Sequence, residues 1–384
     1  TSGHVANVIQ RTLGDDYTLL LKSSLWTIRL FVFVLRADVP KISQVEKCKE
    51  ACGIAHVVGN KGAVSIRFNF HETSFCFVGS HLAAHQEKVE DRNHDFVEIL
   101  KGLDMGENHF SIDTQFSHVF WMGDLNYRID LPRPRVVELI EANDWETLRS
   151  ADQLIAQRKD ANVFMHWREG QVDFRPTYRF LRGTNEYDDE LDRVPSWCDR
   201  VMFKSLPSDA LHIRQLEYSS EDSVQTSDHH PVYAAFEVNT LRSNVLHPKR
   251  DLVIEITNLH GDNMLPKDRN GKSDPFVRFY GNFLEQPVKT KVKKATLNPV
   301  WKNEEVPVLE PFITNNYLER CYIHFVVQDW DLATHADNMG QGVIPLADVY
   351  KSKTPVPFTS PVTLRGSPGG TLSGHIQILE RSKQ

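Results

Sequence analysis

The spacing of apolar positions changes along the chain and divides it into two textures. From Leu25 to Leu35 nearly every position is apolar or β-favouring, which predicts one long strand. Ala63–Phe70 alternates, with Val64, Ile66, Phe68 and Phe70 on one face. Ser74–Gly79, His118–Met122, Arg200–Phe203 and Val232–Val238 are further strand candidates. Between them the period lengthens. Gln86–Leu103 carries Val89, Phe96, Val97 and Leu100 at helical spacing, and Pro134–Ala142 opens on a helix-compatible proline and continues with Val136, Val137, Leu139 and Ile140. Mixed strands and helices predict a layered α/β domain over residues 1–240.

Asn239–Arg250 is polar, weakly periodic and contains Pro248, so it reads as a linker. Over 251–384 the chain is short strand and turn. Eight strand candidates centre on Val253, Val277, Val288, Val306, Phe325, Val343, Val362 and Ile376, some separated by Asn270-Gly271, Asn298-Pro299 and Pro368-Gly369-Gly370. This rhythm predicts an antiparallel β-sandwich of eight strands.

Composition narrows the class. A chain of 384 residues is long for one core, and 40% hydrophobic with 25% charged residues suits ordinary globular domains. A net charge of −7 gives no global attraction to nucleic acid or anionic lipid, so such attraction must be local. The five cysteines, Cys48, Cys52, Cys76, Cys198 and Cys321, are odd in number and unpaired in spacing, which predicts free thiols in a reducing compartment. Cys48 and Cys52 have no second pair or His-x₃-His to make a zinc site. No apolar run reaches the roughly 18 residues of a membrane span, and no signal peptide is recognised. Opening at Thr1 in mid-pattern, the chain reads as part of a longer protein.

Three polar signatures sit beside strand-like runs. They are Trp121-Met122-Gly123-Asp124-Leu125-Asn126-Tyr127-Arg128, Pro195-Ser196-Trp197-Cys198-Asp199-Arg200 and Thr226-Ser227-Asp228-His229-His230-Pro231. Taken singly, Gly-Asp-Leu-Asn is most simply a turn, Ser-Asp-His a strand entry, and His81 a structural histidine. Taken together they place carboxylate, amide and imidazole at strand ends of one sheet. Those groups suit metal-assisted attack of water on a phosphate.

These blocks resemble the inositol polyphosphate 5-phosphatases, within the superfamily of DNase-I-like endonucleases and phosphatases. The resemblance covers about residues 20–238. Besides the three signatures it rests on Gly59-Asn60-Lys61-Gly62-Ala63-Val64, Ser80-His81-Leu82-Ala83-Ala84-His85, Arg92-Asn93 and Phe174-Arg175-Pro176-Thr177-Tyr178-Arg179-Phe180. Phe180 and Phe120-Trp121-Met122 are most similar to the SH2-containing branch, and the His-Leu-Ala-Ala-His block to the synaptojanin and Lowe-syndrome-protein branch. The resemblance implies a four-layer DNase-I-like α/β sandwich and Mg²⁺-dependent phosphate hydrolysis. Asp124 would act as base or orienter of water, Asn126 would hold a phosphate oxygen, and His229 would contact the scissile phosphate with Asp199 orienting its ring. Asp228 would lie at the Mg²⁺ and His81 would donate to developing charge. Asn60, Lys61, Tyr178, Arg179 and Arg200 would bind substrate. The family's Trp-Asn-x-Asn and Gln-Glu strands, the latter carrying the main Mg²⁺ ligand, have no counterpart here. The fold is therefore expected to be N-terminally incomplete and the activity of the chain to depend on residues outside it.

The second domain carries Asp268 and Asp274 around one turn and Asp329, Asp331 and Asp337 in another. Acidic turns are commonly just solvated, and an EF-hand is excluded because Ser273 stands where its loop needs Gly and no Glu closes it. The segment resembles a C2 domain on Leu265-Pro266-Lys267-Asp268, Ser273-Asp274-Pro275-Phe276-Val277, Thr296-Leu297-Asn298-Pro299-Val300-Trp301 and the Asp-x-Asp-x₅-Asp loop. That implies Ca²⁺ held by the five aspartates and a phosphoinositide patch of Lys289, Lys291 and Lys293 on one strand face, where the plainer reading is a lysine-protected edge.

The reading is a phosphoinositide 5-phosphatase joined to a calcium-binding C2 domain, peripheral at the cytoplasmic face of membranes. Its partners are phosphoinositides and an anionic surface, and no nucleic acid. The rivals are a DNase-I-like endonuclease, disfavoured by acidic charge and the Lys61 and Tyr178-Arg179 blocks, and a calcium-dependent lipid module with an inactive phosphatase remnant. Substrate preference and oligomeric state stay open.

Overall fold

The computed structural model describes residues 2–54, 58–189, 193–241, 251–312, 318–331 and 336–381. The chain forms two compact units, one of residues 1–205 with 209–242 and one of residues 243–384 with 206–208.

The first unit opens with helix α1 (Ser2–Leu13) and a hairpin, β1 (Tyr17–Leu25) and β2 (Ile28–Leu35). The apolar run from Leu25 was expected to be one long strand. It contains the hairpin turn instead, at Trp26-Thr27, and no glycine marks that turn. There follow β3 (Ile42–Ile54), β4 (Val58–Phe70), β5 (Thr73–His81), α2 (Val89–Gly102), α3 (Ile112–Gln115), β6 (His118–Asp124), α4 (Arg133–Glu141), α5 (Trp145–Ser150) and α6 (Gln153–Lys159). The unit closes with β7 (Arg168–Glu169), β8 (Asp199–Ser205) and a second hairpin, β9 (Ile213–Ser220) and β10 (Val232–Val238).

Strands β3 to β8 make a mixed six-stranded sheet in the order β3-β4-β5-β6-β8-β7, with β5 and β6 its one parallel pair among the described strands. The β5–α2–β6 crossover explains that pair, since parallel neighbours need a long connection. Alternation divides the side chains between two cores. On one face Cys76, Val78, Trp121 and Met202 pack with Phe96, Ile99 and Leu100 of α2. On the other, Phe68, Phe75, Phe120 and Phe203 meet Leu20 and Val32 of the first hairpin and Ile213, Phe236 and Val238 of the second. Each fully buried aromatic stabilises the layers by about 2–3 kcal/mol.

The second unit contains β11 (Leu252–Asp262), β12 (Pro275–Tyr280), β13 (Val288–Lys289), β14 (Tyr322–Asp329), β15 (Asp337–Pro345), the short helix α7 (Ala347–Tyr350), β16 (Val356–Leu364) and β17 (Ser367–Glu380). Their order is β11-β17-β16-β15-β14-β12-β13. Strands β15 and β16 share one register pair, Gln341 with Thr363, so the sheet turns there and closes into two layers. Ile254, Ile256, Val277, Phe279, Phe325, Val327, Leu372 and Ile376 fill the space between. Seven strands are described rather than eight. The segment at Val306 forms a 3₁₀ turn (Asn303–Glu305) and a single bridge from Leu309 to Ile254. Pro307 and Pro311 flank that bridge and withhold the N–H groups a longer ladder needs.

Candidate active site and calcium site

The sheet register assembles the catalytic edge. Gly62 pairs with His81, His81 with Asp124 and Asp124 with Asp199, so the ends of β4, β5, β6 and β8 lie side by side in one row. Close approach of β6 to β5 depends on Gly123. Its φ is +136°, and a Cβ would stand 2.1 Å from the Ser80 carbonyl oxygen. Gly62 on β4 is equally constrained, with φ +145° and the Glu50 oxygen 2.3 Å from a Cβ.

The side chains of this row engage one another. His81 Nε2 lies 3.2 Å from Asp124 Oδ2 and also contacts Lys61 Nζ. Asp124 Oδ1 accepts the Asn126 backbone N–H at 3.1 Å. Burial pushes the Asp124 carboxyl upward, but the His81 hydrogen bond and the charges of His229, His81 and Lys61 prevail and hold it below the usual carboxylate range. Burial pulls the Lys61 ammonium down, against the opposing pull of Asp124 and Asp95.

His229 arrives from the loop before β10. Its Nδ1 lies 2.8 Å from Asp199 Oδ2, and that oxygen also accepts from Thr177 Oγ1 at 3.0 Å. Burial opposes charge on the ring, but the hydrogen bond to Asp199 and the charges of Asp199, Asp124 and Asp228 win, so His229 is pushed up to about 9. It is an imidazolium at neutral pH. The Tyr178 ring packs on it with centroids 4.5 Å apart, and the Arg128 guanidinium lies 4.7 Å over the same tyrosine. Arg128 Nη2 in turn donates to Asn126 Oδ1 at 2.7 Å.

The sequence-predicted residues thus divide. His81, Asp124, Asp199, His229 and Lys61 converge. Asn126 is buried with φ +59°, its Nδ2 donating to the Leu82 carbonyl at 3.1 Å, so much of its polar capacity is spent inside the fold. Tyr178 is nearly buried and its hydroxyl receives Arg193, so it spaces Arg128 from His229 rather than displaying a hydroxyl. Asn60 is exposed beside Lys61 on β4. Arg179 Nε lies 2.6 Å from Asp188 and 3.7 Å from Asp228, and Arg182 lies 3.5 Å from Asp228.

One expectation at this edge is corrected. Arg200 does not face substrate. It follows Asp199 on β8, so alternation sends it to the opposite face, where it is fully buried against Glu169 at 2.6 Å and Asp152 at 3.0 Å. The Asp228 carboxylate lies 3.7 Å from Arg179 and 3.5 Å from Arg182. The residues described at this edge do not fit a Mg²⁺ cage: each carboxylate is held by a protein donor, and the one gathering of three potential ligands found among the described residues lies in the second unit. Thr177 and Arg128 were missed. Both stood inside recognised blocks, but nothing in their spacing announced a bond to Asp199 or a ring contact.

In the second unit Asp268, Asp329 and Asp331 bring ligand oxygens within 4.8 Å of one another. Asp329 is buried, and burial together with Asp268, Asp331 and Asp274 raises its carboxyl above the usual range, although the Asp274 N–H donates to it. A hard divalent cation would relieve that repulsion, so the donors fit Ca²⁺. Asp274 does not join them. Its Oδ2 lies 2.6 Å from Lys294 Nζ and its Oδ1 accepts the Ala295 N–H at 2.7 Å. Asp337 is exposed at the start of β15, in register with Asp329. The basic strand is also corrected. Strand β13 ends at Lys289, and Lys293 is half-buried 2.5 Å from Glu305, which leaves Lys289 and Lys291 exposed. Trp301 fixes this segment by donating Nε1 to the Lys291 carbonyl at 2.7 Å.

Comparison with known proteins agrees with this geometry. Residues 2–235 match the Endonuclease/Exonuclease/phosphatase family 2, and residues 252–360 match the C2 domain. Human phosphatidylinositol 3,4,5-trisphosphate 5-phosphatase 2 is 31% identical over 94% of this chain and 30% of its own length. Human phosphatidylinositol 3,4,5-trisphosphate 5-phosphatase 1 is 32% identical over 97% of this chain and 33% of its own. The chain therefore spans about a third of the length of these curated relatives. Among solved structures, the inositol polyphosphate 5-phosphatase domain of SPsynaptojanin, in complex with inositol (1,4)-bisphosphate and calcium ion, is 33% identical with a TM-score of 0.54, covering 62% of this chain and 69% of that one. A Cimex nitrophorin, solved as a ferrous NO complex, is 25% identical with a TM-score of 0.50, covering 62% and 80%. One architecture thus serves different chemistries, and the site residues must discriminate. Among the described residues no helix is long and apolar enough to cross a membrane. With a DNase-I-like α/β unit followed by an antiparallel C2 sandwich, the chain belongs to the Endonuclease/Exonuclease/phosphatase family 2.

Proposed function

We propose that the chain hydrolyses the 5-phosphate of phosphoinositides, phosphatidylinositol 4,5-bisphosphate and 3,4,5-trisphosphate, at the cytoplasmic face of membranes. The observation that carries this is the row His81, Asp124, Asp199 and His229 with Lys61 beside it. The His229 imidazolium would hold a scissile phosphate oxygen as charge develops, its ring fixed by Asp199 and Thr177. Asp124, held ionised, would orient the attacking water. Lys61 and Arg179 would bind a neighbouring ring phosphate, Arg179 exchanging a carboxylate for it. The described residues of this edge assemble no site for Mg²⁺. Asp268, Asp329 and Asp331 would hold Ca²⁺, and the bound charge would draw the C2 unit to anionic lipid.

The test is the position of the phosphate released by the chain with Mg²⁺. Loss of the 5-phosphate alone is expected, and Asp124→Asn should lower turnover at least about a hundredfold. A product that keeps its 5-phosphate and loses the 3- or 4-phosphate would refute the assignment. Cleavage of DNA would favour the endonuclease reading, and calcium-dependent lipid binding without hydrolysis the inactive-remnant reading.

A further inference from the structure

Trp26 stands where the fold gives a large side chain little return. It opens the two-residue turn that closes the β1–β2 hairpin, between the register partners Leu25 and Ile28. Its φ is +49°, the left-handed region where hairpin turns use Gly, Asn or Asp. A bulky residue there is a conformational outlier. Burial does not offset the steric cost, because the side chain is 45% exposed. Local choice conflicts with the fold here, and such conflicts point to a contact outside it.

The surroundings give that contact its character. Leu25 packs against Gly62, with Cδ2 3.0 Å from where a Cβ would stand, and Gly62 is the register partner of His81. The turn therefore lies at the catalytic edge. Lys22 and Arg29 of the hairpin and Lys47 and Lys49 of β3 are exposed, and Lys47 Nζ donates to the Lys22 carbonyl at 3.4 Å, which joins the two rows. Alternation keeps the acidic residues of β3 off this face. Glu46 binds Arg67 and Glu50 lies against Gly102 of α2. A protein partner would want an apolar field around the indole, but Ser24 and Thr27 beside it are polar and exposed. An indole at the tip of a hairpin that carries exposed cations instead suits the headgroup level of an anionic bilayer, where aromatic rings and lysines are both favoured.

The geometry points to Trp26, at the tip of the first hairpin, as an interfacial anchor that turns the catalytic edge towards an anionic membrane, with Lys22, Lys47 and Lys49 supplying long-range attraction. It rests on the proposed function only in that the substrate is a lipid, and it is separate from the calcium loops.

The experiment is co-sedimentation of the full chain with phosphatidylcholine–phosphatidylserine vesicles, about four parts to one, with chelator present to silence the calcium loops. Trp26→Gly also relieves the backbone. It should lower partition about tenfold while the thermal midpoint holds or rises. Hydrolysis of vesicle-borne substrate should fall with it, and hydrolysis of a soluble inositol phosphate should not. Trp26→Tyr should stay within about threefold of the parent, since tyrosine also favours the interface. Lys22→Gln with Lys47→Gln and Lys49→Gln should lower partition most at low salt. Unchanged partition in Trp26→Gly overturns the inference. So does a fall in thermal midpoint that accounts for the loss, which would make Trp26 a packing residue. Partition is read without catalysis, so a chain that binds through Trp26 and hydrolyses nothing would refute the activity and leave the anchor standing.

Discussion

The catalytic edge and the acidic loops of the C2 unit use the same residue type in opposite electrostatic settings. At the edge every aspartate meets a built-in donor: Asp124 meets His81, Asp199 meets His229 and Thr177, and Asp228 meets Arg179 and Arg182. In the loops Asp268, Asp329 and Asp331 face one another, and the nearby Lys294 is bound to Asp274. The carboxyl groups move accordingly. Asp124 is held low by the neighbouring cationic groups, and Asp329 is raised by burial and three aspartates. A site whose charges are matched internally is organised before substrate arrives. A site whose charges repel would gain from a bound cation, and under the calcium proposal that would make it a switch.

The largest effects should come from unmatching the first site. His229→Ala is expected to lower turnover about a thousandfold, in the range for losing a positioned acid or charge stabiliser. Asp199→Asn is the finer instrument, because it keeps the shape and removes the charge that raises His229. A histidine raised to about 9 keeps its proton until pH rises through that value, so activity needing the imidazolium is present below it and lost above. Without Asp199 the alkaline limb of the rate profile should move to lower pH, although Asp124 and Asp228 still favour the charge. An unmoved limb would show that the His229–Asp199 pair does not govern catalysis.

Much of this edge was legible because strand ends carry their register with them. His81, Asp124 and Asp199 stand in three separate blocks of the sequence, and strand pairing puts them in one row. What failed was the reading of a motif as a unit. Asp199 and Arg200 are adjacent in sequence and opposite in space, since neighbouring strand residues face opposite sides. The same limit applies to Asp274. The C2 resemblance implied a ligand there, and in the structure its carboxylate binds Lys294, 20 residues on. Trp26 was hidden for another reason: its turn lacks the glycine or asparagine that would have announced it, so the apolar run around it read as a single strand.

The loops should respond to what leaves the edge indifferent. Calcium at about a hundred times its dissociation constant should raise stability by about 2.7 kcal/mol and the melting temperature by several degrees. Asp329→Asn with Asp331→Asn should remove that shift and the calcium dependence of vesicle binding. Hydrolysis of a soluble inositol phosphate should be unchanged. A calcium shift that survives the double substitution would place the ion elsewhere.

The smallest effect tests whether the loops lack matching altogether. Lys294 is a cation near the cluster: its ammonium binds Asp274 and lies 3.9 Å from the centre of the Trp330 ring. It is largely exposed, so the pair itself is worth no more than about 1 kcal/mol. Its position gives it a larger part in ion binding than in stability. A positive charge held on Asp274, whose N–H donates to Asp329, lowers the cluster's attraction for a divalent ion, and it keeps Asp274 from turning inwards. Lys294→Met should therefore tighten calcium binding, by about threefold to tenfold in titration calorimetry, with little change in melting temperature without calcium. The same substitution should weaken the salt dependence of lipid binding slightly, because one surface cation is lost. Weaker calcium binding would mean that Lys294 acts chiefly through Trp330, holding the loop that carries Asp331 in place. The acidic loops would then share with the catalytic edge a cation built in to keep their geometry.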